Sequence, residues 1–301
     1  MKVKTDKTSV VVIDQANNDS NTNLPIENSE QASKAAAPPA PPPFFKITQQ
    51  FGIEALLLPA EKQMPIGERT TKRERLASVR KQENIEAIMD KTVNFFANKS
   101  LDKRADLDWF NRFITLAENV SNTTMQDLWA KILSRELSRP GSYSLKALKV
   151  FRDMSIVDAK LLAKACSLAV KDQSKKNIRI ISGTYQQPGL LNFFSKERQS
   201  YLNLSHFGLN YADILSLADN QLIYRQESES NMMTSGETLN FNYNGLALKL
   251  SCKKPNIAIQ FYKFTSIGAE LANLISDKPN DDFFNALKQQ LSLHFYIDTH
   301  E

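Results

Sequence analysis

DLDWFNRFITLAENVSNTTMQDLWAKILSRELSRPGSYSLKALKVFRDMSIVDA, residues 106–159, is the stretch that decides the fold. Leu107, Phe110, Phe113, Ile114, Ala117 and Val120 recur at spacings of three and four, which places them on one stripe of an amphipathic helix. Ser121-Asn122-Thr123 interrupts the stripe. Thr123 with Gln126 fits a capping box, and Met125, Leu128, Trp129, Ile132 and Leu133 form the next stripe. Pro140-Gly141 ends it, because neither residue suits a helix interior. Ser144 then caps a helix with Leu145, Leu148 and Phe151 inward. Ser155 and Asp158 open another with Ala159, Leu162, Ala163 and Cys166 inward. Loops this short make consecutive helices pack nearly antiparallel, so the stretch predicts a compact helical core.

The same residues carry a resemblance. Trp109, Phe113, Ala117 and Val120-Ser121, the run from Met125-Gln126 through Leu128-Trp129-Ala130-Lys131-Ile132-Leu133, then Glu136, Pro140-Gly141-Ser142 and Asp158-Ala159 resemble an uncharacterised family of bacterial hypothetical proteins. More distantly, the helix layout is similar to that of the Abi-alpha family, whose name links it to abortive phage infection. The resemblance spans about residues 80–275. It implies the fold, a bacterial cytoplasmic setting and a link to phage defence or stress response, and it brings no catalytic residues with it.

Outward from this centre the chain changes character. Residues 1–43 mix Asn, Ser, Asp and Thr and finish in AAAPPAPPP. Such a segment buries too little apolar surface to offset its ordering entropy, and predicts a disordered, Pro-rich tail. Residues 44–104 hold an apolar segment and a long basic helix. Phe44, Phe45 and Phe51, with Ile47, Ile53 and Leu56-Leu57-Leu58, crowd together where the tail stops. They are the candidate interaction residues, packing on the chain's own core or on a second copy.

The long helix, one or two segments from Arg69 to Asn98, sets Arg69, Arg73 and Arg80 in a narrow sector with Lys72 nearby, at 100° per residue. Cations on one helical face are the footprint of phosphate contact, so these four are the candidate nucleic-acid-binding residues. The competing reading is a solvated face paired with Glu68, Glu74 and Glu83. An apolar seam through Ile85, Met89 and Phe96 marks the second half. Residues 44–105 carry 12 basic and 8 acidic residues, most of the chain's net charge of +5.

After the helical core of residues 105–172, residues 173–301 predict an α+β part. Strands are expected at Ile178–Ser182 and Leu222–Tyr224, a helix at Asn210–Asp219, and a polar loop at Glu227–Glu237. Leu239, Phe241 and Tyr243 alternate, Asn244-Gly245 supplies a type I′ turn, and Leu246, Leu248 and Leu250 alternate back. A third run, Ile257 to Phe264, is expected to join this hairpin. Helices from Thr265 and over Asp281–Leu291 precede a last strand at His294–Ile297. The fold class is therefore mainly α with an α+β C-terminal part, a multi-helix core followed by a winged-helix-like helix–β-hairpin–helix domain. Asp213 and Asp219 without Lys or Arg argue against major-groove reading by the Asn210–Asp219 helix.

Catalytic constellations are missing from the pattern. His206, His294 and His300 lie in unrelated contexts, and no phosphate-cradling Gly-rich loop occurs. Asp106 and Asp108 sit at a helix start, where carboxylates cap rather than ligate metal. Cys166 and Cys252 lack metal-ligand spacing, and Cys166 falls on an apolar face. Val10 to Ile13 is too short an apolar run for a signal peptide, and no run approaches the ~20 residues of a membrane span. The sequence thus predicts a soluble, cytoplasmic, non-enzymatic interaction or regulatory protein without metal or cofactor, partnered by another protein or a second copy. A nucleic-acid-binding protein is the alternative, and a nuclease-like enzyme the remote one.

Overall fold

The computed structural model describes residues 43–96, 106–173, 177–188, 198–275 and 278–300. The predicted tail, residues 1–43, lies outside these except for Pro43. The helical half comprises α1 (Phe45–Phe51), α2 (Ile66–Phe96), α3 (Leu107–Ala117), α4 (Thr123–Ser138), α5 (Leu145–Asp153) and α6 (Ile156–Ser167). Local chemistry starts each core helix. Asp106 caps α3 by accepting from the amides of Asp108 (2.9 Å) and Trp109 (3.3 Å). Ser144 caps α5, and Ser155 with Asp158 forms the expected capping box on α6.

The α4 cap differs from expectation. Asn122, not Thr123, accepts from the third amide, that of Met125, at 3.0 Å. Gln126 turns inward instead, its amide donating to the Val120 carbonyl (2.9 Å) and to Asn84 Oδ1 on α2 (3.4 Å).

Trp129 is fully buried at the centre, its ring 5.2 Å from those of Phe113 and Phe151. Trp109 stacks on Phe113 at 5.4 Å, and its indole N–H donates to the Tyr143 carbonyl at 3.0 Å. Cys166 is buried in the same core.

The long helix is a single element of 31 residues, about 46 Å at 1.5 Å per residue. Its second half packs along α4, but through a seam rotated from the predicted one. Asn84, Ile88 and Thr92 are buried, whereas Ile85 and Met89 are half-buried; the Phe96 side chain lies outside the description. Asn84 donates to the Glu118 carbonyl (2.9 Å) and Thr92 to the Ile88 carbonyl (2.7 Å). Hydrogen bonding lets polar residues occupy the packed face, which a hydropathy pattern does not register.

Among the described residues, the C-terminal half is built on an eight-stranded antiparallel sheet. Its strands are β1 (Val170–Asp172), β2 (Ile178–Gln186), β3 (Gln199–Tyr201), β4 (Ser228–Glu229), β5 (Thr238–Tyr243), β6 (Leu246–Cys252), β7 (Ile257–Lys263) and β8 (Phe295–His300). The order is β4-β7-β2-β1-β5-β6-β8, with β3 beside β1 on the same edge of β2. Helices α7 (Tyr211–Asp219), α8 (Ser266–Ala272) and α9 (Asp281–Leu291) complete the half.

The β5–β6 hairpin turns as expected. Tyr243 pairs with Leu246, and Asn244 and Gly245 take φ of 47° and 105°.

Its surroundings are not as expected. β7 does not join the hairpin; it pairs with β2 and β4. Both outer edges of the hairpin are occupied, by β1 and β8, so it forms interior strands of a broad sheet rather than a free wing. Residues 222–224 make only an isolated bridge, Ile223 to Phe264. The expected loop at 227–237 contributes β4 and a bridge from Met233 to Ile257. Gly268 on α8 is required by close approach, since a Cβ there would lie 1.8 Å from the Leu222 carbonyl oxygen.

One apolar cluster runs from Ile88 on α2 to Phe295 on β8.

Candidate functional site

The predicted interaction residues and the predicted cations form one structure. Residues 44–65 fold back as a hook along the first half of α2. Thr48 supports α1 by donating its hydroxyl to the Phe45 carbonyl at 2.8 Å. Gly52 ends α1 in the left-handed region, φ 68°, while the amides that follow return to Gln49 and Thr48. Glycine is needed here twice over, because a Cβ would also stand 3.1 Å from the Arg73 Cα and 3.3 Å from Leu76. Single 3-10 turns at Ala55–Leu57 and Ala60–Lys62, punctuated by Pro59, lead into α2.

Each candidate cation lies along this hook. Glu54, only 5% exposed, forms an ion pair with Lys72. Its carboxyl is held below the ordinary glutamate value, chiefly by the hydrogen bond from Lys72, against a smaller upward push from burial. The Arg80 guanidinium lies over the Phe51 ring at 4.1 Å and donates to the Gln50 carbonyl at 2.6 Å. Arg69 is half-buried, and with Phe45, Glu54, Leu58 and Lys72 it lines a cavity of about 280 Å³ under the hook. Arg73 remains exposed, as does Arg75 beside it. The hook therefore half-covers Arg69, Lys72, Leu76 and Arg80 of this sector and leaves Arg73 exposed.

The three phenylalanines divide. Phe45 is half-buried, whereas Phe44 and Phe51 stay about half exposed. Among the described residues, eight of the nineteen exposed large apolar side chains fall within 44–66, with Leu56 at 78%. Among the described residues, this is the densest run of exposed large apolar side chains along the chain. No residue from 66 to 83 is buried, so hook and half-helix together stand as an arm on the body.

The sequence treated the aromatics and the cations as two separate candidates. The signal that joins them was present: Leu76 shares the sector of Arg69, Arg73 and Arg80, and a solvated face has no need of it. Among the described residues, no group of His, Cys, Asp and Glu is placed to hold a metal ion, and no helix is long and apolar enough to cross a membrane.

A family model described as a protein of unknown function, DUF2806, matches residues 68–288. The chain belongs to this family. Neither the curated proteins nor the solved structures contain a match. The DUF2806 match takes in the basic half of α2, the helical core and most of the sheet. The hook lies outside it.

Proposed function

We propose that this DUF2806 protein is a non-enzymatic interaction protein that engages a protein partner through the arm formed by residues 44–83. The observation that supports the reading is the apolar concentration on the hook, carried on a half-helix with no buried residue. Helical stability in proteins comes mostly from packing an apolar face, and a partner covering Ile47, Ile53 and Leu56 would supply what this arm lacks. Duplex or single-strand binding is the weaker reading. Lys72 is already neutralised by Glu54, and Arg80 is occupied by Phe51 and Gln50.

A photo-crosslinking residue placed at Leu56 in the native cells tests this, with Val157, similarly exposed on α6, as the control site. Protein adducts at Leu56 that are absent at Val157 are expected. Adducts to nucleic acid, or equal labelling at the two sites, would overturn the reading.

A further inference from the structure

A second cavity, away from the arm, lies where the end of α2 meets α4 and the turn after α8. It measures about 280 Å³ and is lined by Phe95, Lys131, Ser134, Arg135, Tyr143, Asn273 and Leu274. That is near the low end of the roughly 300–1,000 Å³ typical of small-molecule sites.

Its chemistry is one-sided. Among the described residues, two cations and two hydroxyl-bearing side chains line it, and no carboxylate does. Two carboxylates that act on Tyr143, those of Glu136 and Glu270, accept backbone amides instead. Glu136 accepts from the amides of Gly141 (2.6 Å) and Tyr143 (3.0 Å), and Glu270 accepts from the amide of Ser144 (2.7 Å). Arg135 donates one amino group to the Asn273 carbonyl (3.1 Å), which holds the guanidinium at the rim and leaves its remaining donors for a guest. Lys131 sits 5.8 Å from the centre of the Phe95 ring.

Tyr143 points to an occupant. The residue is 1% exposed, and its hydroxyl has no hydrogen-bond partner among the described residues. Buried polar atoms are almost always paired, and Tyr143 lines this cavity, so a guest that reached its hydroxyl would satisfy a donor that the described residues leave unmet. Burial, reinforced by Glu136 and Glu270 and opposed by Arg135, pushes its pKa up to about 12, so at neutral pH the hydroxyl is an intact donor. Ser134 is 3% exposed, and among the described residues its hydroxyl makes a long 3.5 Å contact to the Phe95 carbonyl.

We propose that this cavity binds a small phosphate monoester, with the phosphate held by Lys131, Arg135, Ser134 and Tyr143 and the organic part against Phe95 and Leu274. Three of these donors lie on α4 and the fourth in the turn that follows it, a clustered set of the kind a phosphate oxyanion accepts, and the volume leaves room for a small body beyond the phosphate. The cavity lies within the DUF2806 match, whereas the arm begins outside it.

Isothermal titration of the full chain at constant ionic strength tests this, using phenyl phosphate, inorganic phosphate and phenylacetate as probes. Phenyl phosphate is expected to saturate one site per chain, inorganic phosphate to bind it more weakly, and phenylacetate at least about tenfold more weakly. Tyr143→Phe keeps the ring and removes only the orphan hydroxyl. It should leave the melting temperature unchanged or raised and weaken phenyl phosphate about tenfold, the loss of one charge-assisted hydrogen bond. Arg135→Gln should weaken it further, with cooperative melting as the control for folding. Three results would each overturn the proposal: no saturable binding of either phosphate probe at low-millimolar concentration, binding that both variants leave unchanged, or phenylacetate binding as tightly as phenyl phosphate.

Discussion

Trp129 and Glu136 sit on one helix, two turns apart, and the fold depends on them for different reasons. Trp129 is apolar filling, fully buried against Phe113 and Phe151, and the stripe through Ile132 and Leu133 already places it inward. Trp129→Ala should destabilise the protein by ~3–5 kcal/mol, read from the midpoint of urea unfolding. A midpoint near that of the wild type would mean that the site collapses around the deletion.

Glu136 is a different case. It is buried to within 8% exposure, and its two oxygens take the amides of Gly141 and Tyr143, so one carboxylate turns the chain after α4. Nothing in hydropathy separates it from a solvated glutamate. Its role follows from where the Pro140-Gly141 turn returns the backbone.

Among elements, α2 is the clearest case of partial legibility. Its helical character follows from its composition, but its two halves answer to different partners. The second half buries Ile88 among hydrogen-bonded Asn84 and Thr92; the first half depends on the hook. Glu54 and Lys72 make that dependence titratable. Because the folded pKa of Glu54 is depressed, its contribution is fully present above the ordinary glutamate pKa and is lost as pH falls through the lower, folded value. A fluorophore on Ile53→Cys should therefore gain mobility, seen as falling anisotropy, in a transition below the ordinary glutamate range. Glu54→Gln should abolish that transition. An identical transition in the variant would assign it to some other group. The β5–β6 hairpin is legible in the same partial way. Asn244-Gly245 dictates the turn locally, while the neighbours of the two strands depend on strands distant in sequence.

Across the whole molecule, the continuous core begins near Ile88 with Ile85 packed against it. No residue from 66 to 83 is buried, and the arm meets the body at Asn84 and at the Lys81–Glu118 ion pair. Removing residues 1–43 should leave both cooperative melting and the trypsin pattern of the arm unchanged. Removing residues 1–65 should keep the cooperative transition but open rapid trypsin cleavage between Arg69 and Lys81. Loss of cooperative melting in the longer truncation would show that the hook belongs to the core.

From the residues alone, α1 is not legible, whereas the core helices α3–α6, several of their caps, the hairpin turn and the buried tryptophan are. Each of these is decided within one or two turns of chain, by side-chain period, by a hydroxyl or carboxylate near free amides, or by a residue tolerant of positive φ. The tertiary structure alone decided that β7 pairs with β2 rather than with the hairpin, and that the basic sector of α2 lies under the hook. It also brought Phe95, Lys131, Tyr143 and Asn273 together around one cavity. These are contacts between segments distant in sequence, chosen by which buried polar groups find partners and which apolar faces meet. No local pattern encodes that competition.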